Sequence, residues 1–161
     1  MPPDPEIFTL ATQVGERLRK LRKSLAVAES CTGGLLGAAV TDVPGSSAYF
    51  LGGVISYADQ VKAQLLSVAQ ATLSRYGAVS EQTAEAMASG VRRLLYADIG
   101  VSITGVAGPD AEGSKPVGLT FIGIAAAVAT TQRFQWTGDR WDNRRRSVIA
   151  ALELLVRAPE L

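Results

Sequence analysis

A serine stands between an acid and a cysteine in the stretch AESCTGG, residues 28–34, directly after the apolar run SLAV. If a strand ends at Ala28 and a helix follows the two glycines, free backbone N–H groups point past the strand end, where developing oxyanions are stabilised. Ser30 is then presented as a nucleophile. In the alternative interpretation Glu29, Ser30 and Thr32 only cap the helix, and this stretch alone favours neither reading.

The chain contains no histidine and one cysteine, and these counts limit how a serine can be activated. They exclude Ser-His-Asp and Cys-His catalysis, and they exclude the usual zinc sites. Acid–base chemistry near neutral pH must therefore use a lysine, tyrosine or carboxylate with a shifted pKa. Cys31 points away from its neighbour Ser30 and has no imidazolium beside it, so we expect a buried structural cysteine.

Two candidate bases occur in GGVISYADQVK, residues 52–62: Tyr57 at a strand end and Lys62 in the first turn of the next helix. The positive end of the helix dipole and partial burial both disfavour a charged amine, and a neutral lysine can accept a hydroxyl proton. The alternative is a solvated lysine with a tyrosine ring in the core, and the spacing alone favours that alternative.

A third group of candidates follows the later strand, in TGVAGPDAEGSKPVG, residues 104–118. Thr104 offers a hydroxyl, Gly105 helps to shape the loop, and Lys115 is a potential anion ligand. For residues 110–115 we expect a mobile surface connection instead, because turn-forming residues dominate.

Two arginines lie around the start of the last helix, in GDRWDNRRR, residues 138–146. Arg140 and Arg144 are candidates for phosphate recognition, because the guanidinium fork suits phosphate and a helix N-terminus assists. Arg145 and Arg146 are expected to form a solvated face.

The elements that must position these residues are predicted from periodicity. The 161 residues are 47% hydrophobic with a net charge of +1 and scattered basic groups, so we expect a globular domain without a nucleic-acid or membrane partner. No apolar run approaches the roughly 20 residues of a membrane span, and MPPDPEIF is unlike a signal peptide, which predicts a cytoplasmic protein. Helices are predicted at 5–21, 33–43, 59–68, 71–76, 79–98 and 143–156, with Asp59 and Ser80 as caps of the third and fifth. Strands are predicted at 24–30, 50–57, 99–105, 119–130 and 131–138, the last two as a hairpin. This alternation predicts one α/β domain, residues 1–161, with a sheet covered on both faces.

Several separate stretches resemble the family of the C-terminal domain of the competence/damage-inducible protein CinA, which also occurs as stand-alone nicotinamide-nucleotide amidohydrolases. The matching pieces are VAESCTGG, PGSSAYFLGGVISYADQVKAQLL, YGAVSEQTAEAMASG, GVSITGVAGP, KPVG and GDR, in the family's order. Two stretches depart from the family: DAEGSKPVG lacks its glycine-rich Thr-Pro form, and RWDNRRRS is richer in arginine. The resemblance implies a three-layer α/β/α sandwich around a mixed sheet, assembled as a homodimer.

The resemblance also implies an activity: deamidation of nicotinamide mononucleotide to nicotinic acid mononucleotide and ammonia, with no metal or other cofactor. A nucleotide-binding regulatory module linked to competence or DNA damage is the alternative, and a related amidase with another substrate is a third possibility. The implied site residues are the catalytic Ser30, Tyr57 and Lys62; the oxyanion or substrate-binding Glu29, Thr32, Gly33, Gly34, Thr104 and Gly105; and the phosphate-binding Arg140 and Arg144.

Overall fold

A mixed five-stranded sheet forms the centre of the molecule, with the strand order β2-β1-β3-β4-β5. The computed structural model describes residues 2–159 and 161. The strand β1 runs parallel to both β2 and β3, whereas β4 runs antiparallel to β3 and to β5. The strands are β1 (Leu25–Glu29), β2 (Phe50–Ile55), β3 (Ile99–Gly105), β4 (Leu119–Ala125) and β5 (Ala129–Gln135).

Helices cover both faces of this sheet. They are α1 (Pro5–Leu21), α2 (Leu35–Thr41), α3 (Asp59–Leu66), α4 (Gln70–Tyr76), α5 (Glu81–Leu94) and α6 (Arg140–Arg157), with a short 3₁₀ turn at Ser46–Ala48. In β1, Leu25 and Val27 pack with α1, α2 and α6, whereas Ala26 and Ala28 pack with α3, α4 and α5. Because successive strand side chains alternate between faces, β1 contributes to two cores. The predicted three-layer α/β/α sandwich is confirmed.

Helix starts depend on capping side chains, and two predicted starts need correction. The helix α6 begins at Arg140 rather than at residue 143, because the Asp139 carboxylate accepts from the Asp142 N–H at 2.9 Å and caps an earlier turn. Asp59 is the first residue of α3 and not its cap, which is Ala58. The predicted cap of α5 is confirmed, since Ser80 Oγ accepts from the Thr83 N–H at 3.2 Å.

The β4–β5 hairpin is confirmed, but its turn lies earlier than predicted. The strands end and begin at Ala125 and Ala129, and the Ala126 N–H donates to the Val128 carbonyl at 3.2 Å. The turn carries no glycine, proline or asparagine, so composition did not mark it in the apolar run AAAVAT.

The glycine pair of β2 allows close approach to β1. A Cβ on Gly53 would lie 2.6 Å from the Val27 carbonyl oxygen. The register shifts between Leu25 and Ala26, which accommodates one extra residue in β2. After this bulge the register brings Glu29 opposite Ile55, so both strands end side by side at their carboxyl ends.

The long loop between β3 and β4, residues 106–118, leaves and re-enters the sheet at that same edge. Its two ends are joined, because the Gly118 N–H donates to the Val106 carbonyl at 2.7 Å and the Val106 N–H donates to the Leu119 carbonyl at 2.9 Å. Among the described residues, no helix has the length and apolarity that crossing a membrane requires.

Candidate active site

Ser30 occupies the first position after β1, on a tight turn into α2. Its N–H still donates to the Ile103 carbonyl of β3 at 2.9 Å, which ties the turn to the sheet. Gly33 and Gly34 have φ values of +60° and +103°, a left-handed conformation that side chains with a Cβ rarely adopt. The sequence ESCTGG therefore turns the chain sharply and presents Ser30 at the strand end.

Glu29 is buried and faces the helix, not the solvent. Its carboxylate accepts from the N–H groups of Gly34 at 3.1 Å, Leu36 at 3.0 Å and Gly37 at 2.8 Å. A carboxylate at a helix N-terminus is favoured by the dipole and satisfies donors that have no intrahelical partner. Glu29 thus caps α2, in line with the helix-capping alternative, and holds the glycine turn in place.

Lys62 brings its amine to the serine hydroxyl. The side chain is 1% exposed, and Nζ lies 3.3 Å from Ser30 Oγ and 3.1 Å from the Tyr57 carbonyl oxygen. The exposed carboxylate of Asp59 is 3.6 Å from the same amine. The structure therefore brings the amine of Lys62 on α3 next to the hydroxyl of Ser30, which follows β1.

The environment of Lys62 acts on its charge in two directions. Burial lowers the pKa of the amine, because desolvation disfavours the ammonium form, and the Asp59 carboxylate opposes this by favouring the charged form. Desolvation has the larger effect, so the pKa is lowered overall. A lysine with a lowered pKa supplies more of the neutral amine that can accept a serine proton.

A cavity of about 290 Å³ opens beside this pair. Tyr57 is exposed at its rim, and its hydroxyl accepts from a guanidinium N–H of Arg140 at 3.3 Å. Arg140 also donates to the Gly108 carbonyl at 2.6 Å, which fixes the start of α6 against the 106–118 loop. The structure thus brings Ser30, Tyr57, Lys62 and Arg140 around one space.

The loop after β3 forms the opposite wall. Thr104 and Gly105 line the cavity as predicted, although the Thr104 hydroxyl already donates to the Ala78 carbonyl at 2.8 Å. Asp110 and Glu112 also line it. Sequence reasoning missed these two acids by treating residues 110–115 as a surface connection; the signal was the position of the loop after a strand that ends at the site edge.

Arg144 lies outside the cavity lining. Its guanidinium donates to the carbonyls of Cys31 at 3.1 Å and Thr32 at 3.0 Å, on the side of the turn that faces α6. The two arginines of α6 are therefore used differently: the guanidinium of Arg140 reaches the cavity, and that of Arg144 holds the turn.

Cys31 is buried, as expected. Burial raises the pKa of the thiol to about 12, so it stays protonated near neutral pH and is a poor nucleophile. The neighbouring Thr32 is also buried, and its hydroxyl has no hydrogen-bond partner among the described residues.

The fold and this edge site define a class: an α/β/α sandwich with a buried Ser–Lys pair at the carboxyl ends of adjacent parallel strands. The family model of the CinA C-terminal domain matches residues 7–158 of this chain. The chain belongs to this family.

Relatives and solved structures agree with the assignment. A putative competence-damage inducible protein of Halothermothrix orenii is 48% identical over 92% of this chain and 37% of its own length. A CinA-like protein of Chlorobium limicola is 50% identical over 89% of the chain and 35% of its own length. The chain thus spans about a third of the length of these curated relatives.

The fold is shared with solved structures over nearly the whole chain. The competence/damage inducible protein CihA from Agrobacterium tumefaciens superposes with a TM-score of 0.92 at 35% identity, covering 97% of this chain and 96% of that one. A competence or damage-inducible protein from Enterobacter asburiae gives 0.92 at 30% identity, covering 94% and 97%.

Proposed function

We propose that the chain is an amide hydrolase that converts nicotinamide mononucleotide to nicotinic acid mononucleotide and ammonia. The observation that carries the proposal is the 3.3 Å contact between the buried Lys62 amine and the Ser30 hydroxyl. In a chain without histidine, this pair supplies the nucleophile and base that acyl transfer requires.

In the first half-reaction, neutral Lys62 takes the proton of Ser30 as Oγ attacks the carboxamide carbon. The tetrahedral intermediate then breaks its C–N bond, and the Lys62 ammonium returns the proton to the departing nitrogen, which leaves as ammonia. In the second half-reaction Lys62 takes a proton from water, the hydroxide adds to the acyl ester, and the acid leaves as Ser30 regains its proton.

The oxyanion donors differ from those expected. The N–H of Gly33 donates to the Ser30 carbonyl at 3.0 Å, and that of Gly34 is held by Glu29. Among the described residues, the N–H groups of Cys31 and Thr32 donate to no backbone carbonyl. Cys31 lines the cavity, whereas Thr32 is fully buried and does not line it. We therefore assign oxyanion stabilisation to the Cys31 N–H, which removes Thr32 and both glycines from that role.

Tyr57 contributes through two contacts in this proposal. Its carbonyl orients the Lys62 amine, and its hydroxyl holds the Arg140 guanidinium at the cavity rim. The proton-relay role that the resemblance implies for the Tyr57 hydroxyl stays a prediction.

The charges around the cavity fit a nucleotide with a cationic base. Asp110 and Glu112 offer negative charge to a pyridinium ring, and Arg140 keeps N–H donors for a phosphate beyond its two protein contacts. The homodimer that the resemblance implies stays a separate prediction.

An ammonia-release assay tests the proposal, with nicotinamide mononucleotide, nicotinamide riboside and nicotinamide as substrates. We expect turnover of the nucleotide, loss of turnover in Ser30→Ala and Lys62→Met, and turnover retained in Cys31→Ala. The exposed Lys20→Met serves as the matched lysine control. No release from any substrate refutes the hydrolase and favours a binding module, while equal use of riboside and nucleotide points to a different amidase.

A further inference from the structure

Arg144 makes a bidentate contact with the backbone of the turn that carries Ser30. Its Nε donates to the Cys31 carbonyl at 3.1 Å and its terminal nitrogen to the Thr32 carbonyl at 3.0 Å, so one planar group binds two consecutive peptides. The guanidinium also stacks on the Trp141 ring, 4.9 Å from the ring centroid. These contacts connect α6 to the turn across more than 100 residues of chain.

The geometry of a peptide unit transmits this contact to the other side of the turn. The carbonyl of Thr32 and the N–H of Gly33 belong to one planar trans peptide, and that N–H donates to the Ser30 carbonyl at 3.0 Å. The Ser30 carbonyl in turn shares a peptide plane with the Cys31 N–H. Arg144, by holding the Thr32 carbonyl, therefore also helps to fix the direction of the Cys31 N–H.

The turn needs such a restraint. Gly33 and Gly34, which follow directly, have the widest backbone freedom of any residue, and the Thr32 hydroxyl makes no hydrogen bond among the described residues. Glu29 holds the later N–H groups of the turn, and Arg144 holds its earlier carbonyls. The two charged side chains restrain opposite polar edges of the same loop.

We propose that Arg144 is a positioning residue that holds the turn after Ser30 and thereby orients the Cys31 N–H for the oxyanion, and not a phosphate ligand. The inference rests on the proposed hydrolase function. It replaces the phosphate role expected for Arg144, because both arms of the guanidinium that face the turn are occupied by carbonyls and the side chain does not line the cavity.

Kinetics with two substrates separate the two roles. In Arg144→Lys and Arg144→Met, we expect kcat to fall about 10- to 100-fold for both the nucleotide and the riboside, because a small misplacement of a catalytic group has effects of this size. KM is expected to stay within about threefold of the wild-type value, since Arg144 is not proposed to contact the bound substrate. Lysine keeps the positive charge and a single donor nitrogen, so kcat is expected to fall less in Arg144→Lys than in Arg144→Met.

The single cysteine provides a readout that does not depend on activity. Cys31 is 7% exposed and belongs to the restrained turn, so its labelling by a small thiol reagent reports the order of that turn. We expect the Arg144 variants to label at least about tenfold faster than wild type, with thermal unfolding measured in parallel to show that they are folded. Arg146→Lys is the matched control, because Arg146 is exposed on the same helix and pairs with Asp142.

The outcomes are distinct. A rise in KM for the nucleotide alone, with kcat unchanged, identifies Arg144 as a phosphate ligand and overturns the inference. Unchanged kcat and unchanged labelling overturn it as well. If wild type turns over no substrate, the hydrolase proposal fails by itself, whereas faster labelling still supports the restraint of the turn and unchanged labelling refutes it.

Discussion

The carboxylate of Asp59 lies 3.6 Å from the amine of Lys62, one helical turn away on α3. It opposes the effect of burial, because a negative charge at this distance favours the ammonium form. The pKa of Lys62, the proposed base, is therefore lowered by burial and raised by the Asp59 carboxylate. Because Asp59 is exposed, it can be substituted without changing the core.

The Asp59→Asn variant is expected to move the acid limb of kcat/KM to lower pH. Removing the carboxylate lowers the pKa of Lys62 further, so the neutral amine is present at a lower pH than in wild type. A pH–rate profile on nicotinamide mononucleotide measures this. Asp110→Asn, which also removes a cavity carboxylate, is the control. An acid limb that stays in place, or moves to higher pH, contradicts the role of Lys62 as base.

The Arg140→Gln variant is expected to bind the nucleotide more weakly. Loss of charged hydrogen bonds worth about 1.5–3 kcal/mol predicts a rise in KM of about 10- to 100-fold for nicotinamide mononucleotide, with little change for the riboside. Steady-state kinetics on both substrates measure it. Tyr57→Phe, which removes the hydroxyl partner of Arg140, is expected to give a smaller rise. An equal effect on both substrates would place the phosphate elsewhere.

Glu29→Gln is expected to destabilise the fold by about 1.5–3 kcal/mol, because charge-assisted hydrogen bonds to three backbone N–H groups are weakened in a buried position. Denaturant unfolding of the variant and wild type gives the difference. Glu153→Gln removes a surface ion pair with Arg157 and should change stability by less than about 1 kcal/mol. Equal effects of the two substitutions would refute the cap.

Gly53→Ala is expected to destabilise by about 1–3 kcal/mol, since the added Cβ meets the Val27 backbone and side chain at about 2.5 Å. Gly37→Ala is the matched comparison: its Cβ has ordinary contacts, with the nearest atom at 3.6 Å, and it lies in a helix, where alanine gains up to about 1 kcal/mol. The two variants therefore shift the unfolding midpoint in opposite directions. The same direction for both would show that β1 and β2 can separate to accept a side chain.

The layered fold could be predicted from the alternation of helices and strands. The spacing of Tyr57 and Lys62 alone favours a solvated lysine, so the pairing of Lys62 with Ser30 depended on the family resemblance. A strand–turn–helix unit places its turn at the sheet edge, and adjacent parallel strands bring two such turns together. The helix and strand types were recovered, but the start of α6 was placed three residues too late, since Asp139 was not recognised as a cap.

The contacts that each charged residue makes could not be predicted in the same way. Arg140 and Arg144 are one turn apart and look equivalent in sequence, yet one reaches the cavity and the other the Ser30 turn. Glu29 looked like a site residue, and only the packing of α2 against the end of β1 shows that its carboxylate faces the helix. Such assignments depend on which partners the tertiary fold brings within reach.

The base of the 106–118 loop is closed by hydrogen bonds, so the pairing of β3 with β4 does not depend on the part of the loop that forms the cavity wall. The hydrogen bonds between Val106, Gly118 and Leu119 complete the crossing from β3 to β4 before the chain turns outward. Residues 110–115 lie beyond the contacts of Ala107 and Gly108 with α6, and Asp110 and Glu112 among them line the cavity. Changes of length or charge at residues 110–115 are therefore expected to alter the cavity wall, while Ser30 after β1 and Lys62 on α3 keep their 3.3 Å contact.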